Sequence, residues 1–375
     1  MILLLSAAHP PDDMRVVRKE GAALAAAGLA VRHLSPHGPA PASLHGVAIE
    51  TLPPGLSRPR RWWPLLRRAV ALRPSAIHAS EPDAWVLALL AGWRTGARVV
   101  LDVHEHYPSR LDARLPPALR PLARAALRGA CAALGRLADA VVLAKEGLAA
   151  DFPGARTVLA RNHALVPPGL APRRHAPGPL TLLHLGAIGR ARGWPPLLAA
   201  LARLPPTTRL LVIGRFTDGS EAAFHAEAAR LGLSARIEVA PWMPAEAALR
   251  RAAAEADVNL VLFQPGEENH RLALPHKLFD GMAAGLPVVA PAFATGVAGI
   301  VRAAGCGVLT DPADPAAIAA AVTGLADPAR RAALGAAGRR AAEGEWGWAA
   351  EGARLVALHR SLSGREASTP ALEAV

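Results

Sequence analysis

Short apolar runs alternate with helical patterns along this chain, and after a stretch without periodicity the alternation starts again. The first series opens with ILLL at 2–5, a polar loop at 6–14, a helical pattern over 15–27 closed by Gly28, and a second apolar run, LAVRHL. A strand, helix and strand in that order dictate a parallel sheet. SAIHAS, ARVVLDV, ADAVVLA and ARTVLARN continue the series, with helical patterns ending near residue 93, over 115–137 and over 145–151. The Pro- and Gly-rich stretch 164–179 is expected to be a linker. PLTLLHLGAI then begins a second series, followed by TRLLVIG, ARIEVAP, DVNLVLF, VVA and GCGVLTD with helices between them. The expected organisation is a first domain over 1–163, the linker, a second domain over 180–345, a last helix over 346–362 and a disordered tail over 363–375.

Composition limits what such a chain does. With 375 residues, 52% of them apolar, two separate cores are available. No apolar run reaches the roughly 20 residues of a spanning helix. MILLLSAA lacks a basic lead-in and is expected to be a buried first strand, not a signal peptide. Cys131 and Cys306 alone cannot build a disulfide framework or a cysteine metal site and suit a cytoplasmic setting. The net charge of +12 comes from scattered arginines, which argues against a polynucleotide partner and leaves small anions or an acidic membrane surface. Residues 58–73 concentrate Arg58, Arg60, Arg61, Arg67 and Arg68 around Trp62, Trp63, Leu65 and Leu66. That segment is either a peripheral membrane contact or a helix whose Trp and Leu residues pack inward.

Open α/β sheets bind ligands at the carboxyl ends of their strands. In the first series those ends carry His9, Asp12, Asp13 and Arg15, then Asp102, His104 and Glu105. Asp12 or Asp13 either caps the following helix or touches a ligand. Neighbouring residues on a strand face opposite ways, so Asp102, His104 and Glu105 are not expected to share one metal ion. In the second series the loop 189–193 brings Arg190 and Arg192 to a glycine-rich turn, the loop at 242–244 supplies Trp242 and Met243, and Lys277 stands at the start of a helix after Pro275 and His276. A helix N-terminus with a lysine is either an anion site or a plain surface feature. Two cations, an aromatic or apolar loop and a carboxylate would together hold a nucleotide diphosphate.

The stretch LPHKLFDGMAAGLPVVA at 274–290 resembles the LPNKLFEYMAAGLPVVA pattern of the GT-B glycosyltransferases of family 4, and HLGAIGRARG resembles that family's YxGxxxxxRG. HPPDDMRVVRKEGAALAAAG, the DVHE segment and ARN at 160–162 support the likeness, which spans residues 1 to about 360. It implies two Rossmann-like parallel-sheet domains of the α/β class facing across a cleft, the last helix crossing back to the first domain. It further implies a retaining transfer from a UDP- or GDP-linked sugar to an acceptor hydroxyl, with no cofactor and no metal. By the same likeness Arg192 and Lys277 hold the donor diphosphate, and Asp280 binds the ribose hydroxyls. The family's other acid falls at Leu272, with Glu267 and Glu268 close by and Asn269, His270 and Arg271 able to share its role. The expected donor contacts are Gly186, Arg190, Arg192, Trp242, Met243, His270, Arg271, Pro275, Lys277, Leu278 and Asp280. On the acceptor side His104 is the expected group near the reacting carbon, with His9, Asp13, Arg15, Asp102 and Glu105 around it. A nucleotide-sugar 2-epimerase and a sugar-nucleotide-binding protein without activity are the alternatives. A cytoplasmic enzyme, peripheral at the inner face of the membrane, is the expected setting.

Overall fold

The computed structural model describes residues 1–364 apart from 37 and 54; the tail expected to be disordered lies, from residue 365, outside the described residues. The chain forms two units, one of Met1–Arg161 with the segment from Trp348, the other of Asn162–Gly347.

The first unit is built on eight strands: β1 (Ile2–Leu5), β2 (Val31–Ser35), β3 (Ser43–Leu44), β4 (Val47–Thr51), β5 (Ala76–Ala79), β6 (Arg98–Val103), β7 (Ala140–Leu143) and β8 (Thr157–Leu159). Their order across the sheet is β3-β4-β2-β1-β5-β6-β7-β8, parallel except for the β3–β4 hairpin. β1, β5 and β7 are buried along their whole length, which is why β1 and β7 are continuous apolar runs, while β5 carries the buried His78. The hairpin is absent from the sequence-based expectation. Its turn places His45 at φ 52° and Gly46 at φ 80°, the left-handed pair that a two-residue hairpin requires, with histidine where asparagine is usual. The helix expected over 15–27 begins as a wider π-helical stretch, Met14–Gly21, and becomes α-helical only at Ala22–Ala26. Gly21 lets this helix lie against the sheet, since a Cβ there would come within 2.7 Å of Val47. Helix Trp348–Leu362 belongs to this unit, with Leu355 and Leu358 in the apolar cluster of Leu4, Val16 and Val142.

The second unit carries β9 (Thr181–Leu185), β10 (Arg209–Ile213), β11 (Ile237–Ala240), β12 (Val258–Leu260), β13 (Val288–Pro291) and β14 (Gly307–Thr310), all parallel in the order β11-β10-β9-β12-β13-β14. Numbered from β9, that is the 3-2-1-4-5-6 order of a dinucleotide-type sheet, with its switch point between β9 and β12. In the first unit the order switches between β1 and β5. Of the apolar run DVNLVLF only Val258–Leu260 is strand; Val261, Leu262 and Phe263 remain buried while the chain turns toward Lys277.

The stretch 164–179 is no free linker, because it is laid down on the second unit. Leu170 enters that unit's core, Arg173 pairs with Asp257, and His175 Nε2 lies 3.0 Å from the Gly285 carbonyl. Helix Pro328–Glu343 packs behind helix His276–Ala283 through Gly335 and Gly338; a Cβ on Gly335 would stand 2.1 Å from the Gly285 oxygen.

Candidate active site

In the second unit the two strands flanking the switch point deliver the expected cations. After β9 the backbone turns at Gly186, φ 85°, makes one helical turn over Arg190–Arg192 and turns again at Gly193, φ 86°. Gly193 is required twice, by that dihedral and by its neighbour, because a Cβ would stand 2.2 Å from the Leu262 oxygen. Asp218 accepts the Arg190 N–H at 2.7 Å, and the Gln264 N–H donates to the Ala191 carbonyl at 3.0 Å, joining the loop after β9 to the chain after β12. Helix His276–Ala283 starts behind Pro275, and Asn259 of β12 donates to the Lys277 carbonyl at 2.9 Å, which pins its first turn to the sheet. Gly281 allows that approach, since a Cβ there would meet the Asn259 amide at 2.3 Å.

Lys277 is therefore no surface lysine. It is 8% exposed, with Nζ 3.0 Å from His184 Nε2 and 3.3 Å from the Ala187 carbonyl. Burial, then Arg192, pull its pKa down to about 7 against the opposing pull of Asp280. Arg192 is held below the usual guanidinium range by burial, opposed by Glu267 and Asp218. Two basic groups from different strand ends thus feel one another in a partly desolvated place, an arrangement suited to an oxyanion. Leu278 is buried in the core behind them.

Other expected donor contacts take structural positions. The Arg190 guanidinium lies over the Trp194 ring at 4.9 Å. His270 is buried, stacked on Phe263 at 4.7 Å with Nδ1 2.9 Å from the Gln264 carbonyl, and Arg271 is exposed and paired with Glu268. Met243 packs against the core, whereas Trp242 is 67% exposed under Arg215. Leu272 ends the short helix Glu268–Arg271, and of the two nearby acids it is Glu267 that acts on Arg192.

In the first unit the ends of β1, β5 and β6 meet. Glu81, after β5, accepts the N–H groups of Ala7, Ala8 and His9 at 2.9, 2.9 and 3.0 Å and so folds the loop after β1. Asp13 is the helix cap, accepting from the N–H of Arg15 and Val16, and it also pairs with His9 at 2.9 Å. The capping reading of that acid is the one seen here. Burial pulls the His9 imidazole down, but Asp13, Glu81 and Asp102 outweigh it and hold its pKa at about 9. Asp13 is held well below the usual carboxylate range, its burial overcome by His9.

Behind this surface, Arg15 donates to both oxygens of Asp102, at 2.7 and 3.1 Å, and to the Ala160 carbonyl at 2.8 Å. Asp102 also contacts His104, whose ring lies 5.2 Å from that of His9. Arg15 and His104 hold Asp102 ionised despite its burial. Glu105 is not part of this cluster; it is about half exposed and pairs with Arg110.

Sequence reading did not single out Glu20, His78, His184 or His359. Glu20 is 3.0 Å from Arg15, His78 is 3.5 Å from Glu20 and 4.0 Å from Asp102, and His78 Nδ1 is 3.1 Å from His359 Nε2. Among the described residues, Glu20, His78 and Asp102 alone are grouped closely enough for a metal ion, but the Arg15 guanidinium already lies against both acids. Burial raises Glu20 well above the usual carboxylate range. No sequence signal marks these residues, because nothing local distinguishes them from ordinary core-facing positions.

Two family descriptions match, "Glycosyl transferase 4-like domain" over residues 14–169 and "Glycosyl transferases group 1" over residues 179–327. Between them they cover most of the chain, which belongs to the group 1 glycosyltransferases and is an enzyme of that type. Its two sheets have the GT-B architecture. Sucrose-phosphate synthase from Thermosynechococcus elongatus is similar at 21% identity, with a TM-score of 0.72 over 97% of this chain and 100% of that one. Anabaena HepE in complex with UDP and glucose is similar at 18% identity and a TM-score of 0.70, again over 97% and 100%. WaaG, a glycosyltransferase involved in lipopolysaccharide biosynthesis, follows at 17% identity and a TM-score of 0.68 over the same shares. No curated protein matches the chain. Among the described residues no helix is long and apolar enough to cross a membrane.

Proposed function

We propose that the chain moves a sugar from a UDP-linked donor to an acceptor hydroxyl with retention of configuration and without a metal ion. The observation that carries this reading is the buried Lys277 side chain beside Arg192 at the β9/β12 switch point. Similar structures of HepE hold UDP, or UDP-glucose, which supports the choice of base. Arg192 and Lys277 take the diphosphate charge that a divalent cation would otherwise neutralise, and Asp280 takes the ribose hydroxyls. Glu267, near Arg192, replaces the acid missing at Leu272. The acceptor contacts are assigned to the first unit, with His104 oriented by Asp102 and Arg15, and with His9 and Asp13 beside it.

The reaction is a front-face displacement. The bond from the anomeric carbon to the phosphate oxygen breaks as the acceptor oxygen bonds the same carbon, and the acceptor proton passes to the departing phosphate oxygen. No side-chain nucleophile is needed, while the two cations stabilise the charge that grows on the leaving group. A thermal-shift panel of UDP-, GDP-, ADP- and TDP-sugars followed by a test for donor hydrolysis checks the reading. Stabilisation by none of them would overturn it, and release of an altered sugar nucleotide without acceptor would point to an epimerase.

The segment 58–73 is assigned a peripheral contact with an anionic membrane. Supporting this, helix Trp62–Leu72 buries Leu65 and Ala69 but leaves Trp62 and Trp63 exposed, so the tryptophans do not pack inward. Joint neutralisation of Arg60, Arg61 and Arg67 should abolish binding to phosphatidylserine vesicles. Unchanged binding, or none by the native chain, removes the assignment.

A further inference from the structure

His184, the fourth residue of β9, lies directly under the side chain of Lys277. Three polar atoms converge there: Nζ is 3.0 Å from His184 Nε2, Nε2 is 3.1 Å from the Ala187 oxygen, and that oxygen is 3.3 Å from Nζ. His184 Nδ1 is buried and has no hydrogen-bond partner. A proton on Nδ1 would leave a buried N–H unsatisfied, at about 1–3 kcal/mol, and would turn the Nε2 lone pair toward the Ala187 oxygen. The proton therefore belongs on Nε2. An imidazolium is excluded because burial, Lys277 and Arg192 all push His184 down. An Nε2–H facing Nζ calls for a lone pair on the lysine nitrogen.

We propose that Lys277 stands as a neutral amine in the nucleotide-free protein, held in that form by His184, and becomes an ammonium when the donor diphosphate arrives, so that donor binding takes up a proton. The inference rests on the donor reading above. The groups facing Nζ are His184 from β9, Arg192 from the turn after it and Asp280 from its own helix, with the Phe263 ring 5.8 Å away. The amine spares the empty site two adjacent, partly buried cations, a costly arrangement without a counter-ion. Diphosphate oxygens reverse the balance: a new Nζ–H bond forms, and the proton comes from solvent or buffer acid. Nucleotide affinity then weakens with rising pH, toward tenfold per unit above about pH 7.5.

Isothermal titration of UDP into the full chain with EDTA, at about pH 8.5, tests this, because UDP is fully ionised there and contributes no proton of its own. Repeating the titration in buffers of different ionisation enthalpy should give an uptake of about one proton. Lys277→Arg, which stays charged, should bind UDP without uptake, and His184→Phe should bind with reduced uptake. Binding by the native chain without uptake, or with an affinity independent of pH between about 7.5 and 9, overturns the neutral lysine but leaves the donor reading standing. Undiminished uptake by Lys277→Arg or by His184→Phe also overturns it. No binding of UDP removes both.

Discussion

Replacing Asp102 by alanine should show how strongly the first unit depends on its buried charges. Arg15 is 2% exposed and spends three donor contacts on Asp102 and the Ala160 carbonyl. Removing one member of a buried ion pair leaves an uncompensated charge and costs about 3–5 kcal/mol. Glu20 tempers the loss, because it stands 3.0 Å from Arg15, and burial and the neighbouring Asp102 charge raise its pKa well above the usual carboxylate range against the pull of Arg15. With Asp102 gone, Glu20 can ionise and take over as counter-ion, which sets the expected cost at about 3 kcal/mol, the lower end of that range. Combining Asp102→Ala with Glu20→Gln should then cost more than the two single changes added together. Urea denaturation followed by tryptophan fluorescence measures all three variants, with Glu246→Ala as a surface control worth only about 0.3–0.5 kcal/mol. A cost for Asp102→Ala no larger than the control's, or strict additivity with Glu20→Gln, would refute the reasoning.

Lys277→Ala should lower turnover about 10²- to 10³-fold, the cost of one preorganised donor on a leaving group, and an unchanged steady-state rate would place the diphosphate elsewhere. Gly193→Ala should destabilise the second unit and weaken nucleotide binding, since the new Cβ would collide with the Leu262 oxygen at a left-handed dihedral; native-like thermal shifts would count against that account. Burial holds His33, His78 and His359 at pKa values of about 4, about 4 and about 3, below the ordinary 6.5. Between pH 6.5 and 4 the unfolded chain therefore binds more protons than the folded one, so stability should fall as pH drops through that window. His359→Phe should flatten the fall, and an identical pH profile would exclude the contribution of that ring.

The strands were legible because parallel strands buried on both faces must be continuous apolar runs, as ILLL and AVVL are. The β3–β4 hairpin was not, because two residues of strand and a His-Gly turn carry little signal. Arg192 and Lys277 could be found because glycine turns and a proline-led helix mark strand ends locally. That Lys277 is buried could not, since His184, which it lies against, is 93 positions away. The network behind Arg15 is less local still, its His78–His359 contact joining residues 281 positions apart. Arg190, His270 and Arg271 stand in the expected loops, but their neighbours Trp194, Phe263 and Glu268 could be assigned only from the fold.

The central claim is that Arg192 and Lys277 form the donor diphosphate site, and a crystal structure of the chain with UDP tests it most directly. The account predicts the diphosphate oxygens within hydrogen-bond distance of the Lys277 ammonium and the Arg192 guanidinium, with Asp280 on the ribose. UDP bound away from both cations, with Lys277 still turned onto His184, would contradict it.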